Sequence, residues 1–248
     1  MALSRGYDES LDLRSRCGQE GKFGDRLRGT GASACGGLTS YPLLLMPSSL
    51  QGLFRKLEWT DFAVRQEAPP KAGQIAVAAR TDTKNSLTFA PGIIPGTKKF
   101  RLADTVVSRI FLEPSGTFKK SWITTTMSQT DRDELLAHEQ GHYDIHALLT
   151  RDFFLRVMKL KSKEYANQAA LVADVTSAQA ATVDKSGTVQ ARYDTVTSTG
   201  TNKAEQAKWK RIIASAFDTP VTPLELMANG NPVKIELITA FSNNGIIF

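Results

Sequence analysis

The chain of 248 residues is 41% hydrophobic and 23% charged, the balance of a folded globular protein and not of a fibrous or disordered one. No run of about 18 apolar residues occurs, so a membrane-spanning helix is not expected. The net charge of +6 comes from scattered Lys and Arg; the densest helical group, Arg156, Lys159, Lys161 and Lys163, reads as a solvated helix face, and no nucleic-acid-binding motif accompanies it.

Residues 1–50 are rich in Gly, Ser and Arg without a sustained period, and read as a disordered or loosely attached leader. It contains both cysteines, Cys17 and Cys35, at a spacing that matches no metal-ligand pattern. Its best apolar run, Tyr41 to Met46, includes Pro42 and lies too far along for a clear signal peptide. From Leu53 the texture changes. The segments LEWTDF (57–62), QIAVAAR (74–80), NSLTFA (85–90), KFRLADTVVSRIFLE (99–113) and KSWITTT (120–126) are short, apolar in alternation and punctuated by Gly, Pro, Asn and Asp. They predict an antiparallel β region.

After Met127 the period becomes helical. Leu135, His138, His142, Ile145, Leu149 and Phe153 share one broad face, and Ser128 or Thr130 can cap its start. A second helix is predicted over 162–184, a polar loop over 185–201, and a third helix over 202–217 burying Ala204, Trp209, Ile212, Ile213 and Phe217. One strand is expected at Val233–Phe241. Strands first and helices afterwards define an α+β fold: a domain over 53–217 with a C-terminal extension over 218–248.

The run LLAHEQGHYDIH contains His138-Glu139-Gln140-Gly141-His142, which fits H-E-x-x-H on a helix. The i, i+4 spacing sets both imidazoles on one face, where they can hold one zinc ion. Glu139 lies beside them as a general base, and zinc lowers the pKa of water towards ~7. The chemistry this composes is peptide or amide hydrolysis. His146 is the chain's one remaining histidine. It lies eight residues beyond His138, about 12 Å along a straight helix, so it cannot reach an ion bound ~2.0–2.1 Å from the first pair. It reads as a flanking residue, and a third ligand must be a carboxylate. Glu164 and Asp194 are the candidates, and each has the alternative of an ordinary solvated acid.

LEWTDF, KSW ahead of the helix, LLAHEQGHYDI followed by Arg151, and Tyr193-Asp194 followed by Gln206 and Trp209 occur together in order. In this the chain resembles the bacterial zinc-dependent protease family catalogued as domain of unknown function 922, over about Leu57 to Trp209. The resemblance implies a zincin-like fold and a secreted or envelope-associated metal-dependent hydrolase of undefined substrate; the motif's own chemistry makes a peptide or protein the expected one. It also shows a departure. In that family the YD segment leads to a histidine followed by glycine, whereas Thr199 precedes Gly200 here. Three readings stay open: Asp194 substitutes as a ligand, metal is held by two imidazoles and water, or the protein is a non-catalytic relative that binds a partner. Tyr193 is a candidate oxyanion donor, with a packed tyrosine as its alternative.

Overall fold

A computed structural model describes residues 48–71, 77–217 and 235–248. Both cysteines, the Tyr41–Met46 run, the leader as far as residue 47, residues 74–76 of QIAVAAR, and residues 233 and 234 of the expected C-terminal strand lie outside the described residues. The fold is α+β, with short strands first and helices after.

The strands are β1 (Ser49–Gln51), β2 (Ala63–Arg65), β3 (Ala79–Arg80), β4 (Thr83–Thr88), β5 (Pro91–Ile93), β6 (Phe100–Leu102), β7 (Val107–Leu112) and β8 (Phe118–Lys120). They form sheets ordered β1-β7-β4 and β2-β8-β3, and a β5-β6 pair. The expectation of antiparallel pairing holds for β4–β7, β3–β8 and β5–β6. It fails for β1–β7 and β2–β8, which are parallel; each of these pairs is separated by several intervening strands, leaving the long crossover that a parallel pair needs. In the main sheet Asn85 pairs with Ile110 and Leu87 with Ser108. This register turns buried Leu87, Ser108 and Ile110 to one face.

Two strand expectations become turns. In LEWTDF, Trp59–Asp61 is a 3-10 turn, closed by the Asp61 carboxylate accepting from the Glu58 N–H at 2.9 Å. In KSWITTT the strand ends at Lys120, and α1 (Ile123–Thr126) follows. The hydroxyls of Thr124, Thr125 and Thr126 donate to the carbonyls of Ser121 and Trp122. Local bonding of this kind overrides the strand preference of a threonine run.

The helix α2 (Gln129–Lys159) organises everything else. Ser128 caps it by accepting from Asp131 N–H at 3.1 Å, Asp131 lies in its first turn, and Arg156 and Lys159 lie in its last; these charges complement the helix dipole. Every residue from Ile145 to Leu155 is buried, so this middle stretch of α2 is covered on all sides rather than having a single apolar face. Ile145, Leu148 and Leu149 enter one core, Phe153, Phe154 and Val157 a second, and Tyr143 and Ala147 a third.

The other helices pack around it. The second predicted helix is shorter than expected: α3 (Gln168–Ala180) starts at an Asn167 cap. The loop expected over 185–201 is largely α4 (Ser186–Thr197), whose buried Ser186, Val189, Tyr193 and Thr197 repeat at helical spacing. In α5 (Lys203–Phe217), Trp209, Ile212 and Ile213 are buried as expected and Ala204 is exposed. Residues 237–241 of the expected C-terminal strand lie instead in α6 (Leu237–Asn243), burying Leu237, Ala240 and Phe241 at i, i+3, i+4. Buried Asp152 accepts from Leu237 N–H at 2.7 Å, and Arg156 grips Glu236 with two bonds of 2.9 and 2.6 Å. Arg151, paired with Asp152, donates to the carbonyls of Ala216 and Ile235. Tertiary charge pairing thus selects the helix at this position. Among the described residues no helix is long and apolar enough to cross a membrane.

Candidate metal centre

The i, i+4 spacing on α2 brings the Nε2 atoms of His138 and His142 to 3.1 Å of each other. Asp194 on α4 completes a triangle: its Oδ1 lies 3.2 Å from His138 Nε2 and 3.0 Å from His142 Nε2. These three residues are the group of potential ligands found among the described residues. Donor atoms around a four-coordinate zinc lie ~3.3–3.4 Å apart, given bonds of ~2.0–2.1 Å, so the triangle needs to open by only a few tenths of an ångström. Two imidazoles and one carboxylate also match the donor set of catalytic zinc sites. The side chains of His138 and His142 are 3% and 13% exposed and that of Asp194 is 45% exposed. The imidazoles thus form a floor, and the carboxylate stands at the side open to solvent.

Electrostatics suit a cation. Burial pushes the Asp194 carboxyl up, but hydrogen bonding and positive charge from His138 and His142 outweigh it and hold the group well below the usual carboxylate range. Burial pushes His142 down, yet the hydrogen bond with Asp194 and the charge of Glu139 raise it on balance. Glu139 is 3% exposed, and its Oε2 is buried without a hydrogen-bond partner. A carboxylate oxygen buried alone is costly unless something nearby takes its charge or supplies a proton.

Tyr193 lies beneath the pair. Its ring stacks on His138 at 4.8 Å and meets His142 edge-on at 4.9 Å. The hydroxyl donates to the His138 carbonyl at 3.3 Å and accepts from Gln206 Nε2. Fully buried and committed to two protein partners, Tyr193 fits the packed-tyrosine alternative better than the oxyanion-donor role. Its position explains Gly141: a Cβ there would lie 2.1 Å from the Tyr193 hydroxyl oxygen and 2.7 Å from Cζ. The glycine of the motif is the gap through which α4 reaches α2.

After α4 the chain reverses through Ser198, Thr199 and Gly200, all at positive φ. A Cβ on Gly200 would lie 3.0 Å from His138 Cβ, so the loop closes directly over that histidine. Thr199, where the sequence resemblance leads one to expect a histidine, is exposed; its N–H donates to the Asp194 carbonyl and its hydroxyl to the Ser198 carbonyl.

Of the two carboxylate candidates, Asp194 joins the imidazoles and Glu164 does not. Glu164 is half-exposed and pairs with Lys99 at 2.7 Å. His146 is also absent from the group, as its distance along the helix requires. It is buried against β4, with Nδ1 2.8 Å from the Thr83 hydroxyl, and burial pushes it down to about 4. Sequence reasoning missed Gln190, and noted Gln206 without a role; these two amides hold the imidazoles. Gln206 Oε1 is 3.1 Å from His138 Nδ1, and Gln190 Oε1 contacts His142 Nδ1. Gln190 stands four residues before Asp194, on the same face of α4, a spacing that would have revealed it had the segment been read as helical. Comparison with known proteins found no matching family model, no matching curated protein and no matching solved structure.

Proposed function

We propose that the protein is a zinc-dependent hydrolase cleaving peptide or amide bonds, with His138, His142 and Asp194 as ligands and Glu139 as general base. The observation that carries this reading is the convergence of two Nε2 atoms and one carboxylate oxygen within 3.0–3.2 Å, beside a buried Glu139 oxygen that has no partner. When bound, zinc supplies Lewis-acid polarisation of a carbonyl and makes water nucleophilic near neutral pH. Glu139 takes the proton of the attacking water and returns it to the leaving amine. Asp194 contributes the negative charge of the ligand set, and its exposed edge leaves room for substrate on the solvent side. The resemblance to the zinc-dependent protease family supports a peptide or protein substrate and an envelope or extracellular site of action. An extended peptide can add to the edge of a strand beside α2.

A second reading is a degenerate, non-catalytic relative that binds a partner without turnover. It is favoured by Thr199, which offers no ligand where the resemblance places a histidine. Glu139→Gln separates the two readings. In the hydrolase it keeps zinc, measured by elemental analysis, and lowers the rate on a quenched-fluorescent peptide library about 10²–10⁴-fold. In the binding protein neither form cleaves. Wild-type protein free of zinc after equilibration at micromolar zinc contradicts the hydrolase reading and leaves the binding protein.

A further inference from the structure

We infer that Gln190 and Gln206 are positioning residues that keep a proton on Nδ1 of each ligand histidine, so that Nε2 alone is offered to the metal; this rests on the metal-site reading above. The geometry leaves little freedom. Gln190 Nε2 donates to the backbone carbonyl of His142 at 2.8 Å. A carbonyl only accepts, so the amide nitrogen must be on that side and Oε1 must face the ring. That oxygen also only accepts, so His142 Nδ1 carries the hydrogen.

The second relay is one bond longer. The His138 carbonyl accepts from the Tyr193 hydroxyl, which leaves the hydroxyl oxygen to accept from Gln206 Nε2. Gln206 Oε1 is thereby turned to His138 Nδ1 at 3.1 Å, and that nitrogen too must donate. Each ligand histidine thus reads the direction of its own backbone carbonyl through a glutamine, and a helical carbonyl has a second lone pair available for this. His146 has no such relay. Its Nδ1 faces the Thr83 hydroxyl, which donates or accepts equally well, so nothing fixes its tautomer. The amides do for these ligands what a carboxylate or carbonyl partner does in many zinc sites, where losing the partner lowers metal affinity about 10–100-fold.

The test uses ¹⁵N–¹H long-range correlation spectra of the imidazoles in the full-length, metal-free chain. The spectra are recorded at about pH 8, and each ring nitrogen is scored separately as protonated or bare, because Asp194 Oδ1 also accepts at Nε2 in the metal-free chain. With three histidines in the sequence, assignment by single substitution is direct. His138 and His142 are expected to show protonated Nδ1. Gln206→Leu should release that proton preference at His138 only, and Gln190→Leu at His142 only, each weakening zinc binding about 10–100-fold by competition with a chromogenic chelator. Gln206→Glu keeps an acceptor on Nδ1 and should restore most of the lost affinity. A bare Nδ1 on either ring of the wild type overturns the inference without any variant. So do Leu variants that lower thermal stability while leaving Nδ1 protonation and zinc affinity unchanged. Tautomers that behave as expected in a protein that binds no zinc uphold the relay and overturn the metal-site reading.

Discussion

His138, His142 and His146 stand one helical turn apart on α2, yet the first two and the third have opposite surroundings. The first two face α4 and α5, where Asp194, Gln190 and Gln206 supply one anionic oxygen and two amide acceptors. The third turns into the layer between α2 and β4, where a threonine hydroxyl is its partner and burial keeps it neutral. Helix spacing sets the direction of a side chain, and the element packed on that side decides its chemistry. At His142 the helix is still partly open to solvent, whereas from Ile145 to Leu155 it is buried all round.

The largest effect expected from this contrast is on metal content. His142→Ala should abolish stoichiometric zinc, with affinity falling by more than the ~10–100-fold that an orienting partner carries. His146→Gln should leave zinc content unchanged. Equal loss from both, in elemental analysis of dialysed protein, would erase the distinction.

Next comes the contact that brings α4 onto the motif. Gly141→Ala places a methyl 2.1 Å from the Tyr193 hydroxyl oxygen, and overpacking of this kind costs about 1–3 kcal/mol or more. Tyr193→Phe removes that oxygen but leaves Cζ at 2.7 Å. The double variant should therefore recover part of the stability lost, giving a non-additive cycle in chemical denaturation. Strict additivity would show that α4 does not meet α2 through Gly141.

The smallest effect distinguishes His146 by pH. Burial holds it at about 4, below the ordinary 6.5, so on acidification the unfolded chain takes up the proton first. The stability penalty is absent above about 6.5, grows as pH falls towards about 4, and is constant below that. Its ceiling is on the order of 3 kcal/mol. His146→Gln should flatten that part of the stability curve, measured by urea denaturation between the two pH limits. An unchanged slope would mean that His146 is not buried neutral.

What the sequence made legible follows the range of the interactions. The metal-site helix, its Ser128 cap and the pairing of His138 with His142 are local, so periodicity and spacing reveal them. Exclusion of His146 from the group follows from helix rise alone. Asp194 was legible as a candidate, but α4 was not: its polar Ser, Thr and Gly resemble a loop, and only Val189 and Tyr193 packing against α2 makes the segment helical. The C-terminal helix was hidden for a similar reason. Val-Lys-Ile-Glu-Leu alternates like a strand, and the groups that hold its helix, Asp152 and Arg156, lie on α2 some 80 residues earlier. The parallel strand pairings likewise depend on partners far apart in the chain. Thr199 shows the limit of position-by-position comparison: the expected ligand position is an exposed turn, while the neighbouring acid five residues before it meets both imidazoles.

The most direct test is the zinc-to-protein ratio of dialysed wild type, Asp194→Ala and His146→Gln, measured side by side. Asp194, His138 and His142 acting together predict about one zinc per chain in wild type and His146→Gln, and its loss in Asp194→Ala. Retention of stoichiometric zinc without the Asp194 carboxylate, or its absence from the wild type, would contradict the account.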